Sequence, residues 1–191
     1  MIIGKGAGYA RSETYLRQLI HQTNLPFLAT PMGKGVVPDT ARQSIGAART
    51  LALQKADVVL LLGARLNWML HFGRSPRFNP DVKVIQVDVN AEEMHNSIRS
   101  HVAIQADIVP FAHIFIDEIS KKKFRLNENH AWWKELQEKC EKNQQTVKAM
   151  SLDKTVPLNY YAVFHHLRQA IPSDCIIVSE GANTMDIGRS M

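Results

Sequence analysis

The chain has 191 residues, 45% of them hydrophobic, with 23 Lys and Arg against 18 Asp and Glu and a formal net charge of +5. That length buries a substantial core in one domain plus an appended piece. The cations are scattered apart from Lys121–Lys123, and no aromatic residues interleave with a basic stripe, which argues against nucleic acid and leaves anionic cofactors as the fitting partners. No apolar run reaches the roughly 18 residues of a membrane span. Cys140 and Cys175 match no metal or redox spacing, so the chain reads as reduced, intracellular and soluble.

Met1-Ile2-Ile3 runs directly into Gly4-Lys5-Gly6-Ala7-Gly8, a strand end and turn with almost no strand ahead of it, so the start reads as cut. Residues 11–21 follow a helical pattern, and Leu25 to Thr30 is a short apolar run whose Pro26 suits the start of a strand. A Pro- and Gly-containing loop, residues 31–39, follows. Residues 47–56 predict a helix, and Asp57-Val58-Val59-Leu60-Leu61-Leu62-Gly63 predicts a central parallel strand, apolar on both faces. Residues 82–88 predict a second such strand, followed by Asn90 as an N-cap for a helical start at Ala91-Glu92-Glu93. Residues 101–106 read as extended, and 108–122 as an amphipathic helix with cations in its last turn.

Strands alternating with helices at this spacing predict an α/β fold with a doubly wound parallel sheet over residues 1–122, because parallel neighbours need a crossover connection. Residues 123–156 form a charged connecting arm around a helix at 128–150 that carries Trp132, Trp133 and Leu136. After Pro157, residues 159–171 predict a helix and 175–179 a strand. Gly181-Ala182-Asn183-Thr184 suits the cap of a helix expected from Met185 onward. This strand and helix have nothing to pair with, so residues 157–191 read as the first elements of a second, incomplete domain.

The chemistry-bearing residues gather at the carboxyl ends of the strands. Gly4-Lys5-Gly6 either lets backbone approach a phosphate or ribose or forms a plain tight turn; the spacing is not that of a dinucleotide fingerprint. Met32-Gly33-Lys34-Gly35 lacks the flanking glycine and hydroxyl of a phosphate loop. Asp88 and Asp107 suit ribose hydroxyls or, equally, helix caps. Arg65, after the strongest strand, suits a phosphate or a neighbouring acid. The eight histidines include no H-E-x-x-H pattern, and no self-contained catalytic constellation or metal site is predicted.

Ile3-Gly4-Lys5-Gly6-Ala7, DVVLLLGARLNW from Asp57, VIQVDVN from Val84 and SEGANTMDIGR from Ser179 occur in order. Together they closely resemble thiamine-diphosphate enzymes of the oxalyl-CoA decarboxylase and 2-hydroxyacyl-CoA lyase group, from Ile2 to about Arg189. The resemblance implies the Rossmann-like middle domain of a three-domain enzyme plus the start of its C-terminal domain. It further implies that Gly4, Lys5, Gly6, Asp88, Val89, Asp107 and Ile108 line a pocket for ADP or CoA. Arg65, Asn159 and Arg189 would face the CoA part of a CoA thioester substrate. No catalytic residue falls in this chain: the cofactor-activating glutamate and the magnesium motif belong to the other two domains.

The implied whole enzyme is a carbon-carbon lyase using thiamine diphosphate and Mg, a homo-oligomer, peroxisomal, and active in fatty acid alpha-oxidation. It cleaves 2-hydroxyacyl-CoA to formyl-CoA and an aldehyde, and this chain alone would be inactive. The chain's own location is open, since Arg-Ser-Met is no clear peroxisomal address. The alternative function is a non-catalytic oligomerisation or regulatory product that pairs with full-length subunits. A deacetylase-type NAD-binding fold is disfavoured because zinc cysteines and a catalytic histidine motif do not occur.

Overall fold

A computed structural model describes residues 1–178, 180, 181, 184, 187 and 188. Residues 1–140 form one compact unit and 141–191 a second. The first unit is built on five parallel strands: β1 (Ile2–Ile3), β2 (Leu28–Ala29), β3 (Val58–Leu62), β4 (Lys83–Asp88) and β5 (Val102–Gln105), in the spatial order β2-β1-β3-β4-β5. The doubly wound parallel sheet predicted from the sequence is present, with β3 at its centre.

β3 shows why the sheet is covered on both faces. Side chains alternate along a strand, so Val59 and Leu61 point into one core with Ala52, Leu53, Trp133 and Leu136. Leu60 and Leu62 point into the other, with Leu16, Leu19, Ile108 and Ala112. The helices supply the opposing faces. α2 (Glu13–Thr23) buries Leu16, Leu19 and Ile20 at helical spacing, and α4 (Ile108–Lys121) buries Ile108, Ala112 and Ile116; a short helix, α1 (Lys5–Tyr9), adds Ala7. α3 (Arg49–Lys55) covers the opposite face, joined there by the first turns of α5 (Ala131–Ser151) through Trp133 and Leu136. Each fully buried Leu contributes about 1.5–3 kcal/mol relative to exposure.

Asn24 ties these layers together. It ends α2 in the left-handed region, φ 54°, where Asn is tolerated better than most residues. Its buried side chain donates from Nδ2 to the Leu126 carbonyl (3.0 Å) and accepts from Gln43 Nε2 (3.1 Å). Its carbonyl accepts from Trp133 Nε1 (3.1 Å). One residue thereby fixes α2, the segment before α3 and the start of α5.

Three expectations change. The run at Leu25 to Thr30 yields only Leu28–Ala29 as strand, because Pro26 has no amide proton and Phe27 bridges outward to Ser44. The segment Ala91–Glu93 is a single 3-10 turn, capped by Asn90 accepting from Glu92 N. It stops there because the Glu93 carbonyl, which a longer helix would use, accepts instead from Gln86 Nε2 at 2.8 Å. In the second unit, α6 (Tyr160–Ala170) forms as expected, but residues 175–178 are not a strand. Ile176 and Val178 are 91% and 87% exposed, with no neighbouring strand among the described residues to complete a ladder. Ser179 and most of the proposed cap and final helix lie outside the described residues. Among the described residues no helix is long and apolar enough to cross a membrane.

Replacing Asn24 by Ala removes two buried side-chain hydrogen bonds and leaves a β-carbon at positive φ, so urea unfolding is expected to show a loss of about 2–4 kcal/mol. Asn24→Gly, which relieves the backbone strain alone, should recover part of that loss.

Candidate functional site

In an all-parallel sheet every strand ends on the same edge, and the order observed reverses direction between β1 and β3, where the crevice of a doubly wound sheet opens. Gly4 follows β1, Gly63 follows β3, Asp88 ends β4 and Asp107 follows β5. Gly4 N donates to the Leu62 carbonyl (2.9 Å) and Gly6 N to the Gly63 carbonyl (3.0 Å). A β-carbon on Gly4 would lie 2.1 Å from the Gly63 oxygen, and one on Gly63, itself at φ +59°, would lie 2.7 Å from the Ala7 nitrogen. The glycines therefore let two chain segments nest, and the Gly4 and Gly6 amides are engaged within the protein. What this turn offers a ligand is a close approach to its Cα surface and the Lys5 ammonium, which rests 4.8 Å from the centroid of the exposed Tyr9 ring.

Two strand spacings away, about 10 Å, Asp88 accepts from Asn90 N through Oδ1 (3.0 Å). One strand further, Asp107 Oδ1 caps α4 by accepting from Val109 N (2.8 Å). The helix-capping alternative is realised for Asp107, whereas Asp88 holds the turn leading to Asn90, which is itself the cap of the next turn; in each the bond engages Oδ1. Val89 is exposed, while the Ile108 side chain is buried in the core. All seven residues named for the nucleotide pocket lie along this one edge. The loop holding Met32 to Gly35 is fastened beside it: Gly33 packs on the Ile3 carbonyl, Arg17 donates to the Gly35 and Val36 carbonyls, and Lys34 pairs with Asp39 at 2.7 Å.

Arg65 emerges from the turn after β3 at the rim of an open pocket of about 290 Å³. Its Nε lies 2.9 Å from Glu93 Oε1; the Arg65 side chain is 63% exposed and that of Glu93 only 14%. Asn67, Phe72, Gln86 and Ser97 complete much of the lining. The bend that shapes this wall is a run of left-handed residues, His71 (φ 50°), Phe72 (φ 54°) and Gly73 (φ 68°). Burial, followed by Arg49 and Arg77, holds the His71 imidazole below its ordinary value.

Sequence reasoning found Arg65 but not Glu93 or Gln86. The signal available was Gln86, a polar residue at an inward position of an otherwise apolar strand. Of the other residues named for CoA, Asn159 belongs to the second unit and caps α6: Oδ1 accepts from Ala162 N and Nδ2 donates to the Met150 carbonyl, each at 3.0 Å. Arg189 lies outside the described residues.

Residues 1–114 match the family described as "Thiamine pyrophosphate enzyme, central domain". The whole chain is 50% identical over 191 residues to 2-hydroxyacyl-CoA lyase 1 of Homo sapiens, covering 33% of that protein. It is 42% identical over 196 residues to 2-hydroxyacyl-CoA lyase of Arabidopsis thaliana, and 34% identical over 193 residues to oxalyl-CoA decarboxylase of Escherichia coli K12; all of this chain is matched, and 34% of each relative. The chain spans about a third of the length of the curated relatives it matches.

Because a methyl group would collide with backbone at Gly4 but only reach ordinary contact with it at Gly8, alanine should separate them. A methyl group at Gly8 would stand 3.4 Å from the Met32 oxygen, so Gly8→Ala should leave stability within about 1 kcal/mol of wild type in urea unfolding. Gly4→Ala should cost upwards of about 3 kcal/mol or abolish soluble protein.

Proposed function

Since this chain belongs to the thiamine pyrophosphate enzyme central-domain family, we propose that it serves a 2-hydroxyacyl-CoA lyase as the domain that holds the nucleotide part of a ligand. The observation that carries this reading is the alignment of Gly4, Lys5, Gly6, Asp88, Val89, Asp107 and Ile108 along one sheet edge, across the switch point between β1 and β3. In this reading ribose hydroxyls donate to the carboxylates of Asp88 and Asp107. The Lys5 ammonium leaves the Tyr9 ring to neutralise a phosphate of ADP or CoA, and the Arg65 guanidinium meets a CoA phosphate as a planar fork. Of the three residues assigned to CoA, Arg65 is the one whose surroundings here support the role.

For the whole enzyme the proposed reaction cleaves a 2-hydroxyacyl-CoA between carbons 1 and 2, giving formyl-CoA and a shortened aldehyde, as fatty acid alpha-oxidation in the peroxisome requires. Thiamine diphosphate, when bound with its magnesium ion, supplies the carbanion stabilisation. Among the described residues no group of three or more His, Cys, Asp or Glu is placed to hold a metal ion. The role proposed for the described side chains is binding and orientation. A homo-oligomer is proposed for the intact enzyme.

Calorimetric titration of the chain with ADP and with CoA is expected to show saturable binding of at least one of them. Asp88→Ala should weaken nucleotide binding about tenfold or more, the worth of a hydrogen bond to a charged group. Asp88→Asn, which keeps an acceptor for Asn90 N, separates loss of the turn from loss of the charge. Arg65→Ala should weaken CoA and leave ADP unchanged. A folded chain that binds neither ligand would remove this assignment.

A further inference from the structure

An arginine at a pocket rim is a weak anion receptor while its long side chain is free to sweep solvent, because each binding event must then immobilise it. Arg65 is exposed, yet its Nε is held by a carboxylate that is itself largely buried. That carboxylate stands on a rigid base. The Glu93 carbonyl accepts from Gln86 Nε2 (2.8 Å), and Gln86 Oε1 accepts from Ser100 Oγ (2.7 Å), with Gln86 and Ser100 both 3% exposed. Asn90 caps the turn that presents Glu93. On the opposite wall Ser97 Oγ donates to the Leu66 carbonyl at 2.7 Å, which fastens the residue next to Arg65. A guanidinium carries five N–H donors, so a carboxylate paired beside Nε leaves the two terminal nitrogens for a second partner.

We propose that Glu93 is the positioning residue of this pocket: it holds Arg65 by Nε so that the terminal nitrogens meet a phosphate at the rim. The proposal rests on the reading of Arg65 as an anion receptor. It adds a selectivity that reading lacks. Glu93 places negative charge beneath the arginine, so a ligand that continues past the rim into the lining of Asn67, Gln86 and Ser97 must be uncharged there. The ligand class is a phosphate followed by a neutral, hydrogen-bonding chain, with a second anion in the pocket disfavoured.

The test is calorimetric titration with CoA, and separately with inorganic pyrophosphate, of wild type, R65A, E93A, E93Q and the R65A/E93A double variant. E93A is expected to weaken both probes about three- to thirtyfold, within the usual range for directly coupled residues. E93Q, which keeps the size of the side chain and removes its charge, should lose affinity much as E93A does, because the contact with Nε is an ion pair. The double variant should bind no worse than R65A alone, because Glu93 acts through Arg65. If E93A does not fold, Glu93→Leu fills the same space without an acceptor and takes its place. Unchanged affinity in E93A would overturn the proposal, as would an equal loss in the R65A background, which would mark Glu93 as mere structural support. A wild type that binds pyrophosphate in a Glu93-dependent way but not CoA would remove the CoA reading and keep this one. If wild type binds neither probe, both fall.

Discussion

The nesting of Gly4 and Gly6 against Gly63 sets the distance between β1 and β3 at the edge where the sheet reverses direction, and everything along that edge is positioned from it. Without β-carbons at these points the turn after β1 lies directly on the turn after β3. α1 can then begin at once and bring Lys5 to the edge, while β3 releases Arg65 toward the other face. Three glycines thus set how far apart the two polar regions of the edge stand. A side chain at any of them would push against backbone, which cannot rotate out of the way.

In the proposed reading, the polar residues along the edge do two jobs with different atoms. Asp88 and Asp107 each use Oδ1 to satisfy backbone donors at the start of a turn or helix, a local need that exists whether or not a ligand is present. Arg65 pairs through Nε with the Glu93 carboxylate at 2.9 Å. Groups already oriented by the fold lose little freedom when they engage a ligand, which is the physical content of preorganisation. A structural role for these side chains is therefore compatible with the binding role proposed for them.

Much of this was legible in the sequence because periodicity reports burial directly. The apolar run at Val58 to Leu62 could only be a strand covered on both faces, and the spacing of Leu16, Leu19 and Ile20 could only be a helix with one buried side. The candidate edge followed from the same reading, since strand ends carry the turns. What was not legible depends on contacts between distant residues. Glu93 looks like the start of a helix until Gln86, seven residues earlier, claims its carbonyl. The strand expected at Cys175 to Ser179 has the composition of a strand, but the described residues place no neighbour beside it. Composition states what a segment prefers, and pairing decides whether it gets it.

The bond from Trp133 Nε1 to the Asn24 carbonyl spans 109 residues of chain, and Leu136 is wholly buried in the same core as Ile2 and Leu61. During synthesis the α2 and α4 side of the sheet can be covered once residue 116 has emerged. The α3 side stays incompletely covered until α5 follows. A nascent chain at that stage has one finished face and one that α3 covers only in part, which is the situation in which chaperones bind and hydrophobic surfaces aggregate. The order in which the ribosome delivers the two halves of the core is thus written into the topology.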